Sequence, residues 1–428
     1  MTTDLMSPDP TPAQPGPQET AASSARSAPG TSRSAVFDAI RRAGATSRAE
    51  LATLTGFTAG AVTHAVRALL AEGLIVETGD VARTKGKPRV MLSLAPRAQC
   101  AVGVQLEADW AVIAVVDASG GLLARQRVRG ARSAPPDAVL ERIAARATAL
   151  LRAAGVARRA VLGMGLVLPG TLDVERGTLV RSPSLDAWVG VGIRELLEGA
   201  VGMRVELGND ATAAAQGDLW SGAVGGSRAH GTLCMGASIG LGLVLDGGVY
   251  RGATSNAGAL GALRRTAEGE DPGRTLAEIA GPAAVSAAAR AAAGTDRDAA
   301  AALGLGDDVD PFADFAAISA AAVRGDELAT RLVESSAHRL AEAVAPVVRL
   351  LDLDSLSLTG PSFAVAGSIY LGVLRRRLAE EAPGSGVRVR LSMQAPDAAA
   401  VGAAALVLGA AMPALAEDAP WHREPARA

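Results

Sequence analysis

The chain has 428 residues, 49% hydrophobic and 20% charged, with a formal net charge of −2. That length accommodates two or three domains with buried cores, and with aromatics at only 3% the packing falls to Ala, Gly, Leu and Val. Two cysteines far apart in sequence, Cys100 and Cys234, indicate neither a disulfide framework nor a cysteine zinc site.

Residues 1–30 hold six prolines and no apolar core segment, so a disordered tail is expected there, not a secretion signal. Ser34–Ala43 can form a helix with Val36, Phe37 and Ile40 facing inward. Residues 47–72 read as two short helices joined by a Gly-containing turn. Leu51 and Leu54 give the first an inward face; Val62, Val66, Leu69 and Leu70 do so for the second. The opposite face of that second helix carries Gly60, Thr63, His64 and Arg67, and Gly73 stops it at a C-cap position. Leu74–Thr78 then reads as a strand. Val90, Leu92 and Leu94 alternate in a return strand, after a tip with Arg83, Lys85, Lys87 and Arg89.

Three helices followed by a basic-tipped hairpin make a winged helix-turn-helix over residues 31–96. From Arg26 to Arg97 eleven Lys/Arg stand against five Asp/Glu, leaving +6 in a chain whose total is −2. A phosphate-contacting module requires such a local excess. Thr58, Thr63, His64 and Arg67 are expected to face the groove of duplex DNA, and Arg48 its backbone. Lys85, Lys87 and Arg89 are expected to reach phosphates or the adjacent minor groove. Two plainer readings stay open: His64 as a surface histidine beside the apolar seam, and the tip cations as a solvated hairpin end.

From Ala98 onward strands and helices alternate. Ala101–Leu106, Ala111–Asp117 and Leu122–Val128 read as three consecutive strands, Ala138–Ala154 as a helix, and 161–170 as a buried strand. A second β-rich half is expected to open near Arg204 with VELGND, followed by a helix from Ala211 to Trp220 and strands on either side of Gly240. Helices dominate from Leu276 to Leu350, and Ser355–Thr359 returns to strand. The apolar stretch Ala398–Leu415 lacks a cationic flank or a second span and reads as a closing core helix, not a membrane segment. The pattern gives a two-lobed α/β body over 97–415, the lobes breaking near 200–206, with a cleft between them and a C-terminal tail at 416–428. A cytoplasmic, soluble protein is expected.

Several motifs of this body occur in a specific order: PGTLDVERGTLVRSPSLDAW (169–188), LGNDATAAA (207–215), GASIGLGLVLDGGVYRG (236–252), NAGALGAL (256–263) and LTGP (358–361). Together they resemble the ROK family of repressors and sugar kinases over about residues 98–412. With the winged helix ahead of it, the architecture is similar to the family's transcriptional regulators. The resemblance implies an actin-like, two-lobed sugar-kinase (RNase H-like) fold.

It also implies roles for single positions. Asp210, after Asn209, matches the carboxylate that takes the proton from a sugar hydroxyl attacking a γ-phosphoryl group; it can also N-cap the helix from Ala211. The family kinases' Asp-x-Gly-Gly-Thr phosphate turn is replaced by Gln105-Leu106-Glu107-Ala108-Asp109, which sets two carboxylates where an anion would sit. The Gly236–Gly242 turn is partly kept, though such turns also simply join strands. The Glu-x-Gly-His that reaches sugar hydroxyls and zinc is Ala259-Leu260-Gly261-Ala262, and residues 264–279 contain no Cys. No metal, cofactor or catalytic residue is therefore expected. An acidic residue, Glu278, survives near the end of the lost zinc loop. The sugar-loop Asn stands as Ser184, with Trp188 retained. Ser184, Asn209 and Asp210 remain as candidate ligand residues.

The expectation is a DNA-binding regulator, best read as a repressor of carbohydrate-related genes, whose body is a catalytically inactive sensing or dimerisation module. Its partners would be a double-stranded operator, a sugar or sugar-derived effector, and its own copies in a homodimer or tetramer, with no membrane. Rival readings are an active ATP-dependent carbohydrate kinase with a fused DNA-binding head, and a ligand-independent scaffold.

Overall fold

The computed structural model describes residues 29–82, 89–95, 97–264, 273–381, 384, 386–392 and 397–411. The expected tail up to residue 28, the hairpin tip at 83–88 with Lys85 and Lys87, and the chain beyond 411 lie outside the described residues.

The first unit runs α1 (Pro29–Ala43), β1 (Ala45–Ser47), α2 (Arg48–Thr55), α3 (Ala59–Ala71), β2 (Ile75–Ala82) and β3 (Arg89–Leu94). A capping box starts α2: Ser47 Oγ accepts from the Glu50 amide, and Glu50 Oε2 accepts from the Ser47 amide at 2.9 Å. The α3 end is closed by Gly73 at φ +68°, with the Leu74 amide donating to the Leu69 carbonyl at 2.9 Å. Val36, Phe37, Ile40, Leu51, Val62, Val66, Leu69 and Leu92 form the buried centre. Leu54 departs from its expected inward face and is 62% exposed, because eight residues of α2 bury only the Leu51 side. The sheet order is β1-β3-β2. Strand β1, three residues of Ala-Thr-Ser, is too short to show any alternation in sequence. Helix α1 starts at Pro29, just inside the span expected to be tail.

The body continues with β4 (Cys100–Leu106), β5 (Trp110–Asp117), β6 (Leu122–Arg129), α4 (Pro136–Ala153), β7 (Val161–Leu168), β8 (Thr171–Asp173), β9 (Thr178–Arg181), α5 (Ile193–Val201), β10 (Val205–Asn209) and α6 (Asp210–Trp220). Its first sheet has the order β10-β7-β4-β5-β6. The expected break near 200–206 is corrected here. β10 pairs in parallel with β7, Val205 opposite Met164, and so completes the first sheet. A strand that follows a helix returns beside its predecessor as a βαβ unit. The passage to the second sheet falls after α6.

That second lobe comprises β11 (Ala229–Met235), β12 (Ile239–Leu245), β13 (Gly248–Tyr250), α7 (Leu276–Ala280), α8 (Pro282–Ala293), α9 (Arg297–Ala302), α10 (Pro311–Val323), α11 (Glu327–Leu351), β14 (Ser355–Thr359), α12 (Phe363–Glu381) and β15 (Arg388–Leu391). The strand order is β13-β12-β11-β14-β15. The last helix, α13 (Ala398–Ala411), returns to the first sheet and is buried from Ala398 to Leu408. Among the described residues no helix is long and apolar enough to cross a membrane.

Helix α6 lies between β12 and α13 at unusually close range. A Cβ at Gly242 would stand 2.1 Å from the Ala211 carbonyl oxygen, and one at Gly402 1.8 Å from that of Ala213. The Ala- and Gly-rich composition noted in sequence is what permits this spacing.

Candidate functional site

Among the described residues, most of the site positions expected from the sequence fall in two regions. On α3, Gly60, Thr63, His64 and Arg67 recur at i, i+3, i+4 and i+7 and all are exposed, while Val62, Ala65, Val66 and Leu69 on the other side are buried. Thr58 is the N-cap of α3: its Oγ1 accepts from the Ala61 amide at 3.3 Å. Thr63 Oγ1 donates to the Ala59 carbonyl at 2.7 Å, leaving its lone pairs outward. Arg48, at the start of α2, is half-exposed and ion-paired with Glu77 at 3.2 Å. Arg89 opens β3 and is exposed. The α3 face is therefore a free polar and cationic row on a rigidly packed helix. The helix dipole makes its N-terminal end electrostatically favourable to an anion.

The second region is where α6 begins, between the sheets. Asn209, not Asp210, is the N-cap: its Oδ1 accepts from the Thr212 amide at 2.7 Å and its Nδ2 donates to the Ser255 carbonyl at 3.5 Å. Asp210 is the first helical residue and 5% exposed. Its Oδ1 accepts from the Ala211 amide at 2.9 Å and its Oδ2 from Ser238 Oγ at 3.0 Å. Burial pushes its carboxyl above the usual range despite these bonds.

Glu107 faces the same region. It is 4% exposed, accepts from Gln105 Nε2 at 3.2 Å, and its Oε1 lies 3.5 Å from where a Cβ at Gly236 would stand. Burial, then the neighbouring Asp210, pushes it up to about 8. Two inward carboxylates were expected in this segment; only Glu107 is buried. Asp109 lies at the β4–β5 turn, half-exposed, and pairs with Arg132 at 3.5 Å. Gly240 and Gly242 lie inside β12, where they make room for α6, so the turn itself is reduced to Gly236–Ser238.

The remaining expected positions are dispersed. Ser184 Oγ is buried without a hydrogen-bond partner, and its amide donates to Ser182 Oγ at 3.3 Å. Its hydroxyl is thus not bonded to Asn209 or Asp210. Ala259–Ala262 forms an apolar single turn with Leu260 buried. Glu278 is the N3 partner of Thr275 in the capping box of α7; those hydrogen bonds hold its carboxyl below the usual range. Among the described residues no three His, Cys, Asp or Glu side chains are grouped to hold a metal ion. Sequence reading missed two groups. Ser238 holds Asp210, and Asn256 clips the β8 loop by exchanging bonds with the Leu172 backbone, both at 2.8 Å. The serine and the asparagine sit inside recognised motifs, but nothing in their spacing discloses the partner.

The sequence profile described as "ROK family" matches residues 101–410. A putative xylose repressor from Caldicellulosiruptor sp. (strain Rt8B.4) is 26% identical over 215 residues, half of this chain and 54% of that protein. The chain thus spans about half the length of the curated xylose repressors it matches. Among solved structures, a ROK family transcriptional regulator described as a homolog of the E. coli MLC protein superposes with a TM-score of 0.67. It is 22% identical and covers 91% of this chain and 98% of its own. A ROK family glucokinase from Streptomyces griseus, in complex with glucose and AMPPNP, gives 0.60 at 26% identity, covering 72% of this chain and 98% of its own.

Proposed function

This chain belongs to the ROK family, and on that premise we propose that it is a cytoplasmic, DNA-binding transcriptional regulator of carbohydrate-related genes, acting as a repressor. The observation that carries the reading is the exposed row Thr63, His64 and Arg67 on α3, backed by a fully buried opposite face. Arg67 and His64 would meet base edges, and Thr58 and Thr63 the groove wall. Arg48, Arg89, Lys85 and Lys87 would contact phosphates. A pair of such heads, held by the bodies of a homodimer, would read a roughly two-fold operator.

The body supplies the sensing or pairing part and no catalysis. Glu107 lies beside the turn that would receive a phosphate group, and no amide-lined glycine turn stands at residues 105–109. Ser184, Asn209 and Asp210 are the residues proposed to contact a sugar-derived effector, which would act by preferring one lobe arrangement. Similarity to a glucokinase and the retained Asp210 favour the kinase alternative. A coupled ATP-consumption assay with a sugar panel tests that alternative. Selection of bound fragments from genomic DNA by the full chain, followed by sequencing, tests the main reading: enrichment of a shared, two-fold motif supports it.

A further inference from the structure

Helix α6 has its two ends in different parts of the molecule. At its start Asp210 is held by Ser238 Oγ of the second lobe. Near its end Asp218 is bound by the second sheet: Thr232 Oγ1 donates to its Oδ2 at 2.9 Å, Ser357 Oγ donates to the same atom, and His230 Nε2 lies 3.4 Å away. Burial raises the Asp218 carboxyl, but the bonds from His230, Ser357 and Thr232 outweigh it and hold the group ionised. The helix is thereby tied to the second lobe.

Its last residue, Trp220, is 5% exposed and reaches elsewhere. Its Nε1 donates to the Ala118 carbonyl at 3.1 Å, in the turn between β5 and β6 of the first lobe. The same residue meets the winged helix. The Arg41 guanidinium of α1 lies 4.3 Å from the Trp220 ring centroid, and its Nη1 donates to the Trp220 carbonyl at 2.6 Å. Asp38 anchors Arg41 from within α1 at 2.7 Å, and the Arg41 side chain is 5% exposed. Ala118 also packs in the hydrophobic centre of the winged helix.

We propose that α6 is a relay, with Trp220 and Arg41 as positioning residues that set the orientation of the DNA-binding head according to how Asp210 and Ser238 engage across the cleft. The helix spans about 16 Å for eleven residues. Gly242 and Gly402 grip it so closely that it can move only as a unit. A ligand that parts Asp210 from Ser238 would release the start of the helix from the second lobe and change the strain carried to the Trp220 joint. The proposal rests on the head being a DNA-binding unit, but its coupling can be read without DNA or effector.

The test is hydrogen exchange on the full chain in a double-mutant design, with Ser238→Ala at one end and Arg41→Gln at the other. Ser238→Ala alone should change amide exchange in α1 and α3 by about fivefold or more, the lower range of ordinary allosteric coupling. The response should vanish when Arg41→Gln is present, while α11 amides stay unchanged throughout. Equal exchange in Ser238→Ala and wild type, or the same response with and without Arg41, would overturn the relay. Should Arg41→Gln fail to fold, Trp220→Phe breaks the Ala118 bond at the same joint and carries the same two outcomes. Loss of DNA binding in every form, with the exchange coupling intact, would count against the functional reading and leave the relay standing.

Discussion

Ser238 Oγ donates to Asp210 Oδ2 at 3.0 Å, so the carboxylate that the family resemblance marks as a base is held by the opposite lobe. A catalytic base must instead be within hydrogen-bond reach of a substrate hydroxyl, with a phosphate cradle facing it. Here Glu107 stands beside the turn where that cradle would receive its anion. The full chain should therefore show no ATP-dependent phosphorylation of glucose, xylose or N-acetylglucosamine in a coupled assay, and Asp210→Asn should give the same background rate.

Glu107 gives a pH dependence with a defined sign. Its folded value of about 8 stands above the ordinary 4.5, so the folded state binds its proton more tightly than the unfolded chain. Its stabilising contribution is complete below about 4.5 and is lost as pH rises through about 8. Asp210, also raised, acts in the same direction. Thermal unfolding from pH 5 to 8.5 should show Glu107→Gln gaining relative to wild type as pH increases. Parallel curves for the two proteins would dismiss the buried carboxyl as the cause.

Two glycines of α13 should behave oppositely. A Cβ at Gly402 would meet the Ala213 carbonyl oxygen at 1.8 Å, a backbone atom that cannot turn aside. Gly402→Ala should cost about 1–3 kcal/mol or more through overpacking. At Gly409 the nearest atom is Gln216 Nε2 at 3.4 Å, ordinary contact with a movable side chain. Gly409→Ala should be neutral or gain up to about 1 kcal/mol from helix propensity. Denaturant titration of both variants measures the contrast.

Arg67 is the sharpest probe of the α3 face. It is exposed, and it lies one turn beyond Thr63 and His64. Arg67→Ala should weaken binding to a selected DNA site by about 1–3 kcal/mol and relax its sequence preference if the guanidinium reads a base edge. Unchanged affinity on the same fragment removes it from the recognition set.

Much of this was legible in the sequence because the signals were local. The 3.6-residue period of Val62, Val66 and Leu69 and the stop at Gly73 foretell α3, and short apolar runs with a tight turn at Ser119–Gly121 foretell β4 to β6. What was not legible depended on contacts between distant segments. Nothing in VELGND says that it pairs with Met164–Leu168, so the composition shift near 200–206 falls one strand and one helix ahead of the true passage between sheets. Asp210 was a candidate N-cap until Asn209 proved to hold the Thr212 amide, a choice between adjacent residues that only geometry decides. Glu107 and Asp109 look alike in sequence. The tight turn sends one into the interior and the other to Arg132 at the surface. The Arg41–Trp220 joint spans 179 residues and has no sequence signature.

The most direct test of the central claim is a salt titration of the full chain binding a duplex selected from genomic DNA, followed by fluorescence anisotropy. Phosphate contacts from the basic head predict a logarithm of affinity that falls linearly with the logarithm of salt concentration, by about 0.9 for each phosphate contacted. Several contacts per head would give a steep line. A flat response, or no retention of any duplex in dilute buffer, would contradict it.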